Sequence, residues 1–275
     1  MSFDDAVRKL AAAGIESPRA EARLLYAHAL GVTRDETLSP TLQPTPEQAA
    51  RFAAMVARRA AREPSAYITG HKEFWSMDFA VGPGVLVPRP DSETLIEEAL
   101  RIFPDRAMSL RIGDLGAGSG ILLIAALTEF PNASGIGFES SPEAFVWARC
   151  NTDRLLLGRA EIRPDDWNVA PENSFDLIFS NPPYIRGGEI DSLAPDVAGY
   201  EPRAALDGGP DGLAAYRDLA RLLPRLLKIG GRAILEIGAG QAPTMEPLFR
   251  DSGLKVSRIT PDLAGIPRAL VLEKG

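Results

Sequence analysis

Over its first seventy residues the chain carries apolar positions at helical spacing only. Phe3, Val7 and Leu10 share one face of a helix that Ser2 is placed to cap, with Gly14 beyond its end. Ser17-Pro18 opens a second helix running to Gly31, with proline at its first position. Thr45-Pro46-Glu47-Gln48 has the form of a capping box, and Phe52, Met55 and Val56 then lie on one face. The spacing predicts a small helical bundle over residues 1–72. Its charges sit at solvated spacings, and His28 reads as an ordinary helix-face residue.

The pattern then changes. Residues 74–81 and Val85-Leu86-Val87 read as strands around Gly82-Pro83-Gly84, so 73–90 is expected to be a β-hairpin connector. A helix is expected from Asp91 through Leu100. From there apolar runs alternate with helical stretches. Strands are expected at 111–115, 135–139, 160–163, 175–180 and 232–237, with an antiparallel pair at 255–260 and 269–272 closing the chain. Helices are expected at 121–130, from Ser141-Pro142-Glu143, and at 213–227. Such alternation predicts an α/β fold with a largely parallel, doubly wound sheet over 91–275. Gly238-Ala239-Gly240 reads as the turn after the fifth of these strands.

Composition narrows the chemistry by exclusion. The chain has 275 residues, 45% of them hydrophobic and 24% charged, which is enough to bury a sizeable core. A single cysteine, Cys150, excludes a disulfide framework, and with only His28 and His71 a multi-histidine metal centre is also excluded, so no metal is expected. No apolar run reaches bilayer length and the N-terminus lacks a basic signal start, so a soluble, cytoplasmic protein is expected. A formal charge of -7 argues against a broad nucleic-acid footprint.

Two loops carry candidate chemistry. Asp114-Leu115-Gly116-Ala117-Gly118-Ser119-Gly120 lies between the first strand of the sheet and the next helix, where glycines permit close backbone approach to a ligand. Its spacing is G-x-G-x-G, and Ile121 stands where a dinucleotide fingerprint needs glycine, which favours a nucleoside-type cofactor over a pyrophosphate. Glu139 ends the next strand, 25 residues after Asp114, where an acid can accept from both ribose hydroxyls. Asp166-Trp167 follows the third strand and can either flank an adenine or cover the core.

The second loop is Asn181-Pro182-Pro183-Tyr184, at the end of the fourth strand. The prolines fix the backbone and remove two donors, leaving carbonyls to accept. The Asn181 side-chain oxygen and the Pro182 carbonyl can take both hydrogens of a planar –NH2 group, and Tyr184 can stack on the planar substrate. Such a grip suits methyl transfer to a delocalised nitrogen and needs no strong base.

Together the glycine loop, Glu139 and the Asn-Pro-Pro-Tyr loop resemble the class I S-adenosylmethionine-dependent methyltransferases. Tyr67-Ile68-Thr69-Gly70, Phe74, Val87-Pro88-Arg89-Pro90-Asp91-Ser92-Glu93, Glu201-Pro202-Arg203-Ala204-Ala205-Leu206, Gly208-Gly209-Pro210-Asp211-Gly212-Leu213 and Glu236-Ile237-Gly238 narrow the resemblance to the release factor glutamine methyltransferases of the PrmC/HemK type. It spans nearly the whole chain and implies a Rossmann-like methyltransferase domain behind a helical N-terminal domain, and that helical domain is expected to dock the protein substrate. The implied activity is N5-methylation of the glutamine in the Gly-Gly-Gln motif of peptide chain release factors, with S-adenosyl-L-methionine as cofactor. Carried over residue by residue, the cofactor contacts are Gly116, Ala117, Gly118, Ser119, Gly120, Glu139, Trp167 and Asn181. The same carry-over assigns the glutamine amide to Asn181, Pro182, Pro183 and Tyr184, with Asn181, Pro182 and Tyr184 catalytic, and puts Arg89, Asp91 and Glu93 near the site. Three departures stand out: Glu139 where the family carries Asp, Ser92 where it carries Thr, and an irregular run from Gly137 to Ser141. An N6-adenine methyltransferase acting on nucleic acid uses the same –NH2 logic, and a non-catalytic α/β adaptor retaining the glycine turn is the third reading.

Overall fold

A computed structural model describes residues 1–39, 41–156 and 158–275. Two compact units divide the chain: Met1–His71 with Ser192–Glu201, and Lys72–Asp191 with Pro202–Gly275. The first unit is helical. Helix α1 (Phe3–Ala12) is capped by Ser2 and Asp5, α2 (Pro18–Leu30) stops at Gly31 in the left-handed region, and α3 (Pro46–Ala60) starts with the Thr45–Gln48 capping box. A short α4 (Ser65–Thr69) follows, a fourth helix inside the predicted bundle beyond the three that the spacing marks. Their apolar faces meet in one core that includes Leu10, Leu25, Phe52, Val56 and Ile68.

The second unit opens with a hairpin, β1 (His71–Phe74) and β2 (Met77–Ala80). This corrects the expected register. The turn is Trp75-Ser76, both with positive φ (51° and 56°), the geometry of a tight two-residue hairpin turn. Neither residue is Gly or Asn, so the turn leaves no compositional mark. Gly82 and Gly84 serve close packing instead of the turn. A Cβ on Gly82 would lie 2.5 Å from the Trp147 ring, and one on Gly84 2.5 Å from the Glu143 Cβ. Val85-Leu86-Val87 forms no strand.

Helix α5 (Glu93–Ile102) leads to β3 (Arg111–Leu115), α6 (Ile121–Glu129), β4 (Ser134–Phe138), α7 (Pro142–Leu155), β5 (Ala160–Arg163) and β6 (Phe175–Ser180). The chain then supplies α8 (Pro195–Tyr200) to the first unit, where Asp196 accepts from Arg59 at 3.0 Å and from Arg62 at 2.6 Å. Arg59 is buried and also meets Glu21 at 3.1 Å, so it is not the solvated charge that its helical spacing suggests. Its partners lie 38 and 137 positions away, beyond the reach of local pattern. Returning to the second unit, α9 (Ala214–Leu226), β7 (Leu227–Glu236), α10 (Ala242–Arg250), β8 (Leu254–Pro261) and β9 (Pro267–Lys274) complete the fold. Helix α10 was not anticipated. It is nine residues long and holds an internal Pro247, both of which weaken a helical signal.

The sheet order is β5-β4-β3-β6-β7-β9-β8. All neighbours from β5 to β7 are parallel, and β9 is antiparallel to both β7 and β8. The chain winds outward from β3 through β4 to β5, then returns to place β6 on the other side of β3. Strand order therefore reverses between β3 and β6, and the crevice beyond their carboxyl ends is where an open α/β sheet binds ligands. One face of the sheet buries Phe175, Ile178, Leu235 and Leu270 with Tyr216, Leu219 and Leu223 of α9 and Phe249 of α10.

Candidate active site

The glycine loop turns at the end of β3. Gly116, Gly118 and Gly120 all have positive φ, at 79°, 57° and 84°. The amides of Gly116 and Ala117 both donate to the Phe138 carbonyl, at 2.9 and 3.0 Å, which ties the loop to the end of β4. A Cβ on Gly118 would meet nothing within 4 Å, so a side chain there would extend into open space. One on Gly116 would stand 3.4 Å from the Trp167 ring.

Glu139 follows β4 and is buried. Its Oε2 accepts from Gly118 N at 2.8 Å and its Oε1 from Ser141 N at 2.8 Å. Burial raises its pKa, and the two amide bonds oppose that rise. Each oxygen keeps a lone pair beyond these bonds. At the end of β3 Asp114 is more deeply buried; Leu123 N donates to its Oδ2 at 3.3 Å, and among the described residues Oδ1 has no hydrogen-bond partner. Burial and the neighbouring Glu139 charge push its pKa up to about 7 against that amide bond.

These residues line a pocket of about 260 Å³ at the switch point. Gly116, Ala117, Gly118, Ser119, Glu139 and Trp167 form one part of the lining, joined by Asp166, and Asn181 and Pro183 form another, with Arg89 and Ser92 between α5 and the loop after β2. Seven of the eight expected cofactor contacts are thus brought together. Gly120, the eighth, is not in the lining; it precedes α6, and a Cβ there would be 3.2 Å from Ile124 Cδ1. Pro182 and Tyr184 are also outside the lining. The Tyr184 ring packs on the core beside Gly238, and its hydroxyl donates to Glu236 Oε1 at 3.1 Å. Burial, then the Glu236 charge, raise its pKa.

Around the loop runs a polar network that sequence reasoning missed. Glu236, at the end of β7, is 1% exposed. Ser92 Oγ donates to its Oε2 at 2.5 Å, and Asn181 Nδ2 lies 3.4 Å from Ser92 Oγ. Arg268 from β9 joins Asp262 at 3.2 Å and Asp91 at 3.4 Å. Burial raises the Glu236 pKa, while the Ser92 bond and the Arg268 charge act against that rise. Glu93 serves a different purpose, its Oε1 accepting from Trp75 N at 2.8 Å in the hairpin turn. A signal for Glu236 was present: an acid inside the apolar run Ala233-Ile234-Leu235-Glu236-Ile237 costs stability unless it is partnered.

The arrangement can hold a nucleoside-bearing ligand. The left-handed glycines keep the floor of the pocket free of side chains, and a buried carboxylate with spare lone pairs faces the same space. Among the described residues, no group of three or more His, Cys, Asp or Glu is placed to hold a metal ion, and no helix is long and apolar enough to cross a membrane.

Comparison with known proteins agrees with this geometry. A family model for the PrmC N-terminal domain matches residues 3–70, and one for the methyltransferase small domain matches residues 92–197. The release factor glutamine methyltransferase of Caulobacter vibrioides is 44% identical over 266 residues, covering 96% of this chain and 92% of its own. That of Rhodospirillum rubrum is 42% identical, covering 99% and 84%. The crystal structure of a methyltransferase from Pyrococcus furiosus, 20% identical, superposes with a TM-score of 0.54 over 81% of this chain and 98% of that one, which shows the shared fold. Near-complete coverage at this identity, on a class I methyltransferase sheet with the glycine loop and the Asn-Pro-Pro-Tyr loop at its switch point, means that the chain belongs to the release factor glutamine methyltransferase family.

Proposed function

We propose that this protein transfers the methyl group of S-adenosyl-L-methionine to the side-chain amide nitrogen, N5, of the glutamine in the Gly-Gly-Gln motif of peptide chain release factors. The observation that carries the reading is Asn181. It follows β6 and lines the same pocket as the glycine loop and Glu139. When bound, the cofactor supplies an electrophilic methyl carbon. Gly116, Ala117, Gly118 and Ser119 offer it backbone without side-chain bulk, Glu139 accepts its ribose hydroxyls, and Trp167 flanks it.

The Asn181 side-chain oxygen, in the pocket lining, accepts one N–H group of the substrate carboxamide, and the Pro182 carbonyl, outside that lining, takes the second once the carboxamide is seated on the loop. Held this way, the nitrogen loses conjugation as its lone pair turns toward the electrophilic methyl carbon. The same oxygens stabilise the positive charge that grows on nitrogen, and the strongly acidic N-protonated amide passes its extra proton to water after transfer, so no histidine is required. Pro183 stiffens the loop. Tyr184 anchors it through Glu236. Among the described residues the first unit contributes none to the pocket lining, which leaves it free for docking the release factor, the role proposed for it. A translation factor as substrate supports a cytoplasmic location, and the formal charge of -7 counts against direct nucleic-acid binding.

Incubation with radiolabelled S-adenosylmethionine and a release factor tests the acceptor. Label should appear on the factor and vanish when the Gly-Gly-Gln glutamine is replaced by alanine. Label that persists on that variant overturns the site, and label on DNA or RNA alone moves the acceptor to an adenine.

A further inference from the structure

The network beneath the Asn-Pro-Pro-Tyr loop has a direction. An ionised carboxylate only accepts hydrogen bonds. Glu236 accepts from Tyr184 at one oxygen and from Ser92 at the other. The single Ser92 hydroxyl proton is thereby committed to Glu236, and toward Asn181 the Ser92 Oγ can only accept. The amide end of Asn181 must then face Ser92, as it does at 3.4 Å. Its carbonyl end is left for the pocket that Asn181 lines.

We infer that Glu236, acting through Ser92, is a positioning residue that sets which end of the Asn181 amide is presented to the substrate. The inference rests on the carboxamide reading above and deepens it. An amide side chain has nearly the same shape in both orientations, so packing alone does not choose between them. Presented oxygen-first, Asn181 accepts from a substrate –NH2 group; presented nitrogen-first, it opposes donor to donor and the grip fails. The choice is made two hydrogen bonds away, by an acid that accepts from Tyr184 and from Ser92. Ser92 and Glu236 lie 144 positions apart, and Ser92 and Asn181 89 apart, so the relay exists only in the folded chain.

Glu236→Gln keeps the shape and removes the direction, because its amide can donate to Ser92 as well as accept. The test compares the full-length wild type with Glu236→Gln, Ser92→Ala and Ser92→Thr, using a release factor as acceptor and S-adenosylhomocysteine calorimetry to confirm an intact cofactor site. Glu236→Gln and Ser92→Ala should lower kcat by about tenfold to a hundredfold with little change in KM for S-adenosylmethionine. Ser92→Thr retains the hydroxyl and should recover most of what Ser92→Ala loses. Wild-type kcat in Glu236→Gln, or a threonine variant as slow as the alanine one, overturns the inference. A neutron structure of the deuterated wild type provides a readout independent of the acceptor. Deuterons on Asn181 Nδ2 directed at Ser92, with the Ser92 deuteron directed at Glu236, support the relay; the reversed amide overturns it. A wild type that shows this polarity yet leaves release factor unlabelled retires the acceptor assignment and leaves the relay standing.

Discussion

At Asp114, burial of a carboxyl in the centre of the sheet makes stability depend on pH. Its pKa rises from 3.8 to about 7, so between those values the native state holds a proton that the unfolded state has released. The contribution is fully present below the unfolded value and is lost as pH climbs through the native one, a change of about 4 kcal/mol across the window. Asp114→Asn, which cannot ionise, should flatten this component. In urea unfolding without cofactor, the variant should gain on the wild type steadily from pH 4 to pH 7, whereas a constant offset would contradict the assignment. Gly118 makes a steric argument at the same scale. Its φ of 57° is one that β-branched residues resist, and a side chain there enters the pocket space. Gly118→Val should abolish S-adenosylhomocysteine binding in calorimetry while far-ultraviolet circular dichroism stays native, and an unchanged affinity would sink the proposed floor of the site.

Elements are set by their ends as much as by their faces. In α3 the Thr45 side chain accepts from Gln48 N at 3.2 Å, and the Gln48 side chain accepts from Thr45 N at 2.9 Å, so two otherwise unpaired donors are satisfied reciprocally. Thr45→Ala should destabilise the first unit by about 1 kcal/mol. Hydrogen exchange of the α3 amides would register the loss as faster exchange there, and unchanged protection would show that the cap is dispensable. This start was legible in four consecutive residues. The hairpin was not, because its turn places Trp75 and Ser76 in a conformation that neither residue advertises, while the glycines that mimic a turn serve packing against Trp147 and Glu143. Helix α8 was equally hidden: it is six residues long and is held in the first unit by Asp196 and by a Tyr200 hydroxyl bond to the Ala61 carbonyl at 2.7 Å.

For the whole molecule, the division of labour is the proposal to test. The pocket lining is drawn entirely from the second unit, and docking is assigned to the first. A chain lacking residues 1–62 should methylate intact release factor with a much higher KM for the factor than the full chain does. Its affinity for S-adenosylhomocysteine should stay near that of the full chain, which also reports on whether the shortened chain folds. Equal KM values for the factor would remove the docking role from the helical unit.

Local chemistry determined most of the elements and the two loops that line the pocket. Apolar periodicity, a proline at a helix start and glycines after a strand act over a few residues, and they marked the parallel sheet, the three main N-terminal helices, the glycine loop, Glu139 and Asn181 before any fold was considered. Tertiary structure alone decided how these parts are joined. The reversal of strand order between β3 and β6 brings residues 116–119 and 181 to one pocket. Closure of the sheet carries Glu236 and Arg268 beneath the Asn181 loop, and within the first unit the return of α8 buries Arg59 between Glu21 and Asp196. Periodicity encodes which face a residue turns inward; which charge or hydroxyl it meets there depends on segments distant in the chain, and that is settled only when the core closes.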